Sequence, residues 1–251
     1  MLVSASSSSR APVYRFVSLL IAAGCLLVAT AGCGGTDRLA SPNVTSIAER
    51  TLPGTRYTDA HPDSLRDLSI VEGSDRVRFE LRKSYQRMHE NWSSKFQFAT
   101  ARRNPTRPLT YATLWSKDLS LTALEAEERV SSLPKEKALA RIEKARKEYQ
   151  KTLQIDVYWF TGPNGTSITG PGARVRLHDG QGNSYRPTRE KDGPLRDAAI
   201  LGRFDILYRR NIFYFDRVRK GRDILEGVDE LRLRVSPTGG PNVEFNWSWE
   251  E

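Results

Sequence analysis

Residues able to do chemistry are few in this 251-residue chain, and they are scattered. Both cysteines, Cys25 and Cys33, precede residue 34. The rest of the sequence therefore offers no thiolate as nucleophile, disulfide partner or zinc or iron–sulfur ligand. The histidines stand singly at 61, 89 and 178, a spacing that matches no metal-binding pattern. His61, before Pro62, reads as solvated, and His89 as a surface or internally satisfied residue. His178-Asp179 sets a carboxylate beside an imidazole, the pairing that orients a general base. Strand neighbours point to opposite faces, however, and Asp179-Gly180 is an ordinary turn dipeptide. A hydrolase of unfamiliar type would draw its acid and base from carboxylates such as Asp156, Asp179 or Asp205. The sequence holds no G-x-S-x-G, no H-E-x-x-H, no phosphate loop and no dinucleotide fingerprint. A non-enzyme without a cofactor is the expectation.

Arginine is the chemistry in supply. The formal charge is +9. Arg174 and Arg176, and again Arg232 and Arg234, alternate with apolar residues and would share one sheet face. Arg209, Arg210, Arg217, Arg219, Lys220 and Arg222 lie nearby in sequence. Such a face suits an anionic partner. The plainer reading is that arginines keep an exposed sheet face soluble and discourage edge pairing.

Something must carry these residues to their place of work, and the N-terminus addresses that. Residues 1–15 are Ser-rich, basic and acid-free, residues 16–29 are almost wholly apolar, and small residues follow. That order is the signature of a secretory signal peptide. Phe16 to Ala31 covers about 16 residues, short of the ~20 that span a bilayer core. Thr30-Ala31-Gly32-Cys33 resembles the lipobox of bacterial lipoproteins, although that family prefers Leu where Thr30 stands. Cys25 competes, but a cut there would leave apolar Leu26-Leu27-Val28 at the mature end, so Cys33 is favoured. The resemblance implies cleavage between Gly32 and Cys33, acyl chains on Cys33 and insertion in a membrane. Each buried methylene contributes about 0.8 kcal/mol, and two or more chains hold firmly. Cleavage would remove Arg10 and Arg15 and no acidic residue, taking the charge from +9 to +7. Gly34 stands where the family's inner-membrane retention signal would be Asp, which points to the outer membrane in a cell with two. The partners then expected are an envelope protein or an anionic envelope polymer, not nucleic acid. A passive structural lipoprotein is the remaining reading.

The elements follow from periodicity. Residues 33–70, rich in Gly, Pro, Ser, Thr and Asp, read as a tether holding residues 71–251 on the order of 35 Å from the lipid. For 71–101 the spacing of Leu81, Tyr85, Met88 and Trp92 predicts a helix near 74–91, while Val77, Phe79 and Leu81 also fit a strand. Strands are expected at 95–100 and 109–116. Residues 119–151 carry two helical stripes, the first with a Thr122–Glu125 capping box and the second starting at Pro134. From 153 onward the period is two, with strands near 153–160, 173–179, 183–188, 211–218, 229–236 and 243–250. The sum is a mainly β, α+β fold: an antiparallel, immunoglobulin-like β-sandwich with an inserted αα-hairpin at about 119–151.

Tyr111-Ala112-Thr113-Leu114, followed by the pattern Val175, Leu177, Asp179, Gly182, Tyr185 and Pro187, is similar to a loose group of uncharacterised bacterial lipoproteins. The resemblance spans roughly residues 109–250. Its matching positions are packing and turn residues, and it implies no activity.

Overall fold

Leu231, Leu233 and Val235 alternate with arginines, and Val243, Phe245, Trp247 and Trp249 alternate with polar residues. A period of two buries one face of a strand. In the computed structural model the two runs pair antiparallel and all seven apolar side chains are buried. The structure describes residues 43–49, 52–96, 110–161, 173–200, 203–236 and 242–250. In chain order the first elements are α1 (Val44–Glu49), β1 (Thr55–Thr58), β2 (Leu68–Glu72), β3 (Val77–Leu81) and α2 (Tyr85–Asn91). Next come β4 (Ser93–Lys95), β5 (Thr110–Leu114), α3 (Lys117–Glu128) and α4 (Lys135–Lys151). The β-rich remainder has β6 (Thr152–Thr161), β7 (Arg174–Asp179), β8 (Ser184–Tyr185), β9 (Arg189–Asp192) and β10 (Arg196–Ile200). It ends with β11 (Arg203–Asp216), β12 (Val218–Arg219), β13 (Arg222–Asp223), β14 (Glu230–Ser236) and β15 (Val243–Trp249).

The fold is α+β and mainly β. One sheet has the order β1-β15-β14-β7-β8, and a second the order β10-β11-β6-β5-β4 with β9 also on β11. A single apolar cluster draws on both: Leu153, Ile155, Val157, Phe213 and Phe215 from the second sheet meet Leu177, Leu233, Phe245 and Trp247 from the first. Each such burial is worth about 1.5–3 kcal/mol. Two indole N–H groups inside it are answered, Trp247 Nε1 donating to the Trp92 carbonyl at 2.9 Å and Trp249 Nε1 to that of Val228 at 2.7 Å. Alternation along β6 turns Asp156, Tyr158 and Phe160 to the opposite face, where Tyr158 and Phe160 meet Tyr111 and residues Ile47 and Ala48 of α1. A third cluster joins β2 and β3 to α2, α3 and α4.

Several expectations change. Within the tether expected over 33–70, the described residues 44–49 and 52–70 pack instead: Ile47, Leu52 and Leu68 are buried, and β1 pairs with β15. That pairing is parallel, unlike the others described, because strands so far apart in sequence need no hairpin between them. Residues 33–42 lie outside the described residues. The helix expected over 74–91 is a strand, β3, and then a short helix, α2, started by Ser84, whose hydroxyl accepts from the Arg87 N–H at 3.2 Å. Both spacings in that stretch were real, one after the other. α3 is capped by Ser116 and not by Thr122: the Ser116 hydroxyl accepts from Leu119 N–H. Glu125 instead accepts from the backbone and hydroxyl of Ser131 past the helix end. The strand expected at 95–100 runs over Ser93–Lys95, and 97–100 lie outside the described residues. β11 begins eight residues earlier than the strand expected near 211.

Candidate functional site

Gly32 and Cys33 lie outside the described residues. Arg174, Arg176, Arg232 and Arg234 do share the outer face of the first sheet: Arg176 stands opposite Arg234, and Arg232 opposite His178. Arg234 is already 3.7 Å from Glu244 on the neighbouring strand. The four line neither of the two cavities named below.

The candidate carboxylates are separated. Asp179 closes the β7–β8 turn, accepting from the backbones of Gln181 (3.0 Å) and Asn183 (2.8 Å), the Asn183 amide (2.8 Å) and the Tyr185 hydroxyl (2.8 Å). Burial would push its carboxyl up, but these bonds outweigh it and hold the value below the ordinary one. Burial and the same carboxylate push the Tyr185 phenol up to about 12. Asp179 lines a separate cavity with Asn183, Tyr185 and Asp223. Its work is to fix a turn. Asp156, on the other sheet, is completely buried and bound by Gln154 Nε2 at 2.9 Å, Arg210 Nε at 2.8 Å and Arg210 Nη2 at 2.6 Å. Burial raises its carboxyl above the ordinary value, with Arg210 and Gln154 pulling against it. The side chain of Asp205 lies outside the described residues. His61, expected to be solvated, packs edge-on against Trp249 at 5.6 Å and accepts from the Asp63 N–H through Nδ1.

The structure brings together a different set. Tyr85 and His89 sit one turn apart on α2 and so share a helix face; their rings meet edge-on at 4.7 Å. His89 meets Trp115, just past β5, edge-on at 5.5 Å. On the aromatic face of the second sheet Tyr158 and Arg210 are direct cross-strand partners, and the Arg210 guanidinium lies 5.8 Å from the Trp115 ring. These side chains line a cavity of about 330 Å³. Its further wall is the β9–β10 connection, where Gly193 N–H donates to the Arg210 carbonyl at 2.7 Å. A Cβ at Gly193 would stand 2.7 Å from that oxygen, so only glycine allows this approach.

Three buried polar atoms of residues lining the cavity, Tyr85 Oη, His89 Nε2 and Trp115 Nε1, are closed off from solvent and have no hydrogen-bond partner among the described residues. Leaving such a group unmet costs about 1–3 kcal/mol. All three are neutral. Burial, aided by the Arg210 charge, pushes the His89 imidazole down to about 3, and burial pushes the Tyr85 phenol far up. Trp115 helps hold the Asp156 carboxylate charged without closing a hydrogen bond of normal geometry. Arg210 is raised above its ordinary value, burial opposing but the Asp156 charge prevailing. Such a set can bind and orient a ligand. The spacing of Tyr85 in an apolar stripe was visible in sequence, but it reads as core, and nothing local distinguishes an unmet hydroxyl from a met one. His89 is neither on the surface nor satisfied.

The chain matches no protein-family model and no curated protein.

Proposed function

We propose that this chain is a lipid-anchored bacterial envelope protein, held by acyl chains on Cys33, and that it acts as a non-catalytic binding module or adaptor. Its ligand site is the cavity between Tyr85, His89, Trp115 and Arg210. The observation that carries this reading is a cavity of about 330 Å³ whose walls combine Arg210, Lys191 and Arg196 with aromatic side chains and one carboxylate, Glu127. Two of the three carboxylates named for hydrolysis are committed elsewhere, Asp156 to Arg210 and Asp179 to its turn. The anchor rests on the order of basic, apolar and small residues up to Cys33, and Gly34 favours an outer membrane. The body is read as an antiparallel, immunoglobulin-like sandwich with α3 and α4 as an αα-hairpin. Its support is the core shared by the two sheets.

Two measurements test it. Cells fed labelled palmitate should label the native protein and not Cys33→Ser; unlabelled native protein overturns the anchor. A panel of neutral, cationic and anionic ring compounds should include at least one that raises the melting temperature of the native protein. That rise should shrink in Lys191→Gln/Arg196→Gln, which changes exposed lining residues. If no compound shifts it, the binding reading fails.

A further inference from the structure

We infer that the outer face of the first sheet docks on an anionic lipid membrane, independently of the cavity and of Cys33. The register places its charges. Arg176 on β7 stands directly opposite Arg234 on β14, and Arg232 opposite His178. Arg174 is diagonal to Arg234, and Arg176 to Arg232, so the four form a staggered block two strands wide. Like charges directly opposite each other destabilise a sheet, and alternating signs would keep it soluble without that cost. Edge protection does not explain the arginines either, because β7 and β14 are both interior to the order β1-β15-β14-β7-β8. The carboxylates on the same face are Glu244, 3.7 Å from Arg234, and Glu230 at the start of β14. Among the described residues Arg174, Arg176 and Arg232 have no carboxylate partner.

The shape of the block selects the kind of anion. A small anion is held in a concavity, and no arginine of the block lines the cavity of Tyr85 or that of Asp179. The charge instead extends over a sheet face, about 7 Å along each strand and about 5 Å across. A planar array of anionic groups matches that spread. Tyr57 points to the same partner. It stands opposite Ser248 on β15, so its ring shares this face, and it is 76% exposed. Between Tyr57 and the arginines β15 turns Asn246 and Ser248 outward. An exposed phenol gains nothing from a dissolved anion, whereas its apolar ring and polar tip suit the lipid–water boundary. Each arginine brought to an anionic bilayer strengthens binding about fivefold, equivalent to about 1 kcal/mol.

The test is phenylglyoxal modification of the full chain, added to preformed vesicles and read arginine by arginine by mass spectrometry. Vesicles of phosphatidylcholine alone are compared with vesicles that also contain phosphatidylglycerol. Arg174, Arg176, Arg232 and Arg234 should react at least about fivefold more slowly on the anionic vesicles, and molar salt should erase the difference. Arg141, exposed on α4, should react alike on both. Arg176→Gln/Arg234→Gln should lose most of the slowing at Arg174 and Arg232 while keeping the native melting temperature, since neither side chain is in the core. Equal rates on the two vesicles, or slowing at Arg141 as large as at the four, overturn the inference. Slowing by dissolved heparin that exceeds slowing by the anionic vesicles also overturns it and assigns the face to a soluble polyanion. Neither the cavity nor Cys33 enters the readout, so the compound panel and the palmitate label decide the binding-module and anchor readings separately.

Discussion

Arg217, buried, and Arg210, half-buried, are both arginines on or beside β11, and they are treated in opposite ways. Arg217 is 3% exposed with every nitrogen engaged: Nη1 and Nη2 grip Asp63 at 2.7 and 2.8 Å, and Nη2 and Nε grip Asp223 at 2.6 and 3.2 Å. Its plane lies 5.1 Å from the Tyr149 ring, and the Tyr149 hydroxyl donates to the Pro62 carbonyl at 3.0 Å. Burial works against the Asp63 carboxylate, yet Arg217 holds it below its ordinary value. The result is a joint that fastens the 61–64 segment to α4 and the strands. Arg210 meets one carboxylate oxygen, keeps one nitrogen free and is surrounded by unmet polar atoms. Arg217 spends its whole guanidinium on a fastening, whereas Arg210 keeps a nitrogen on the wall of a cavity.

The contrast can be broken at several points. Arg217→Met should cost the most, about 3 kcal/mol in urea unfolding, because it strands two carboxylates around an apolar side chain. A loss under about 1 kcal/mol would deny the joint its role. Next is a pH effect from the open site. The folded value of His89, about 3, lies below the 6.5 of an unconstrained ring. Its contribution is therefore full above about pH 6.5 and is lost as pH falls toward 3. Stability should drop by roughly 2 kcal/mol between pH 7 and pH 5, and His89→Phe should flatten that part of the profile; an unchanged slope places the titration elsewhere. Gly193→Ala should cost about 1–2 kcal/mol by forcing the β9–β10 connection off the Arg210 carbonyl, read as a lower melting temperature with weaker ligand binding. Smallest is Arg234→Gln. Its side chain is 45% exposed and its nearest carboxylate is 3.7 Å away, so urea unfolding should move by no more than about 0.5 kcal/mol.

What was legible in the sequence is what depends on local period. β14 and β15 follow their alternation residue for residue, and Ala138, Ile142 and Tyr149 are buried on α4 as their spacing requires. β1 was not legible, since Thr-Arg-Tyr-Thr becomes a strand only because β15 offers it an edge. Arg209 and Arg210 hid the first half of β11: two adjacent charges look like a surface, yet one of them is drawn inward by Asp156. The cavity was hidden for the same reason. Tyr85 and His89, Trp115 and Arg210 come from three separate stretches, and an unmet hydrogen bond is a property of their meeting, not of any stretch alone.

β15 has a neighbour on both flanks, β14 from just before it and β1 from nearly two hundred positions earlier. A nascent chain still short of Trp249 therefore shows two raw strand edges at once, the kind that recruit other copies. Ring closure over so long a separation is slow. The strand β15 is thus a keystone, set late, and any shortening that removes it should convert a folded domain into an aggregating one.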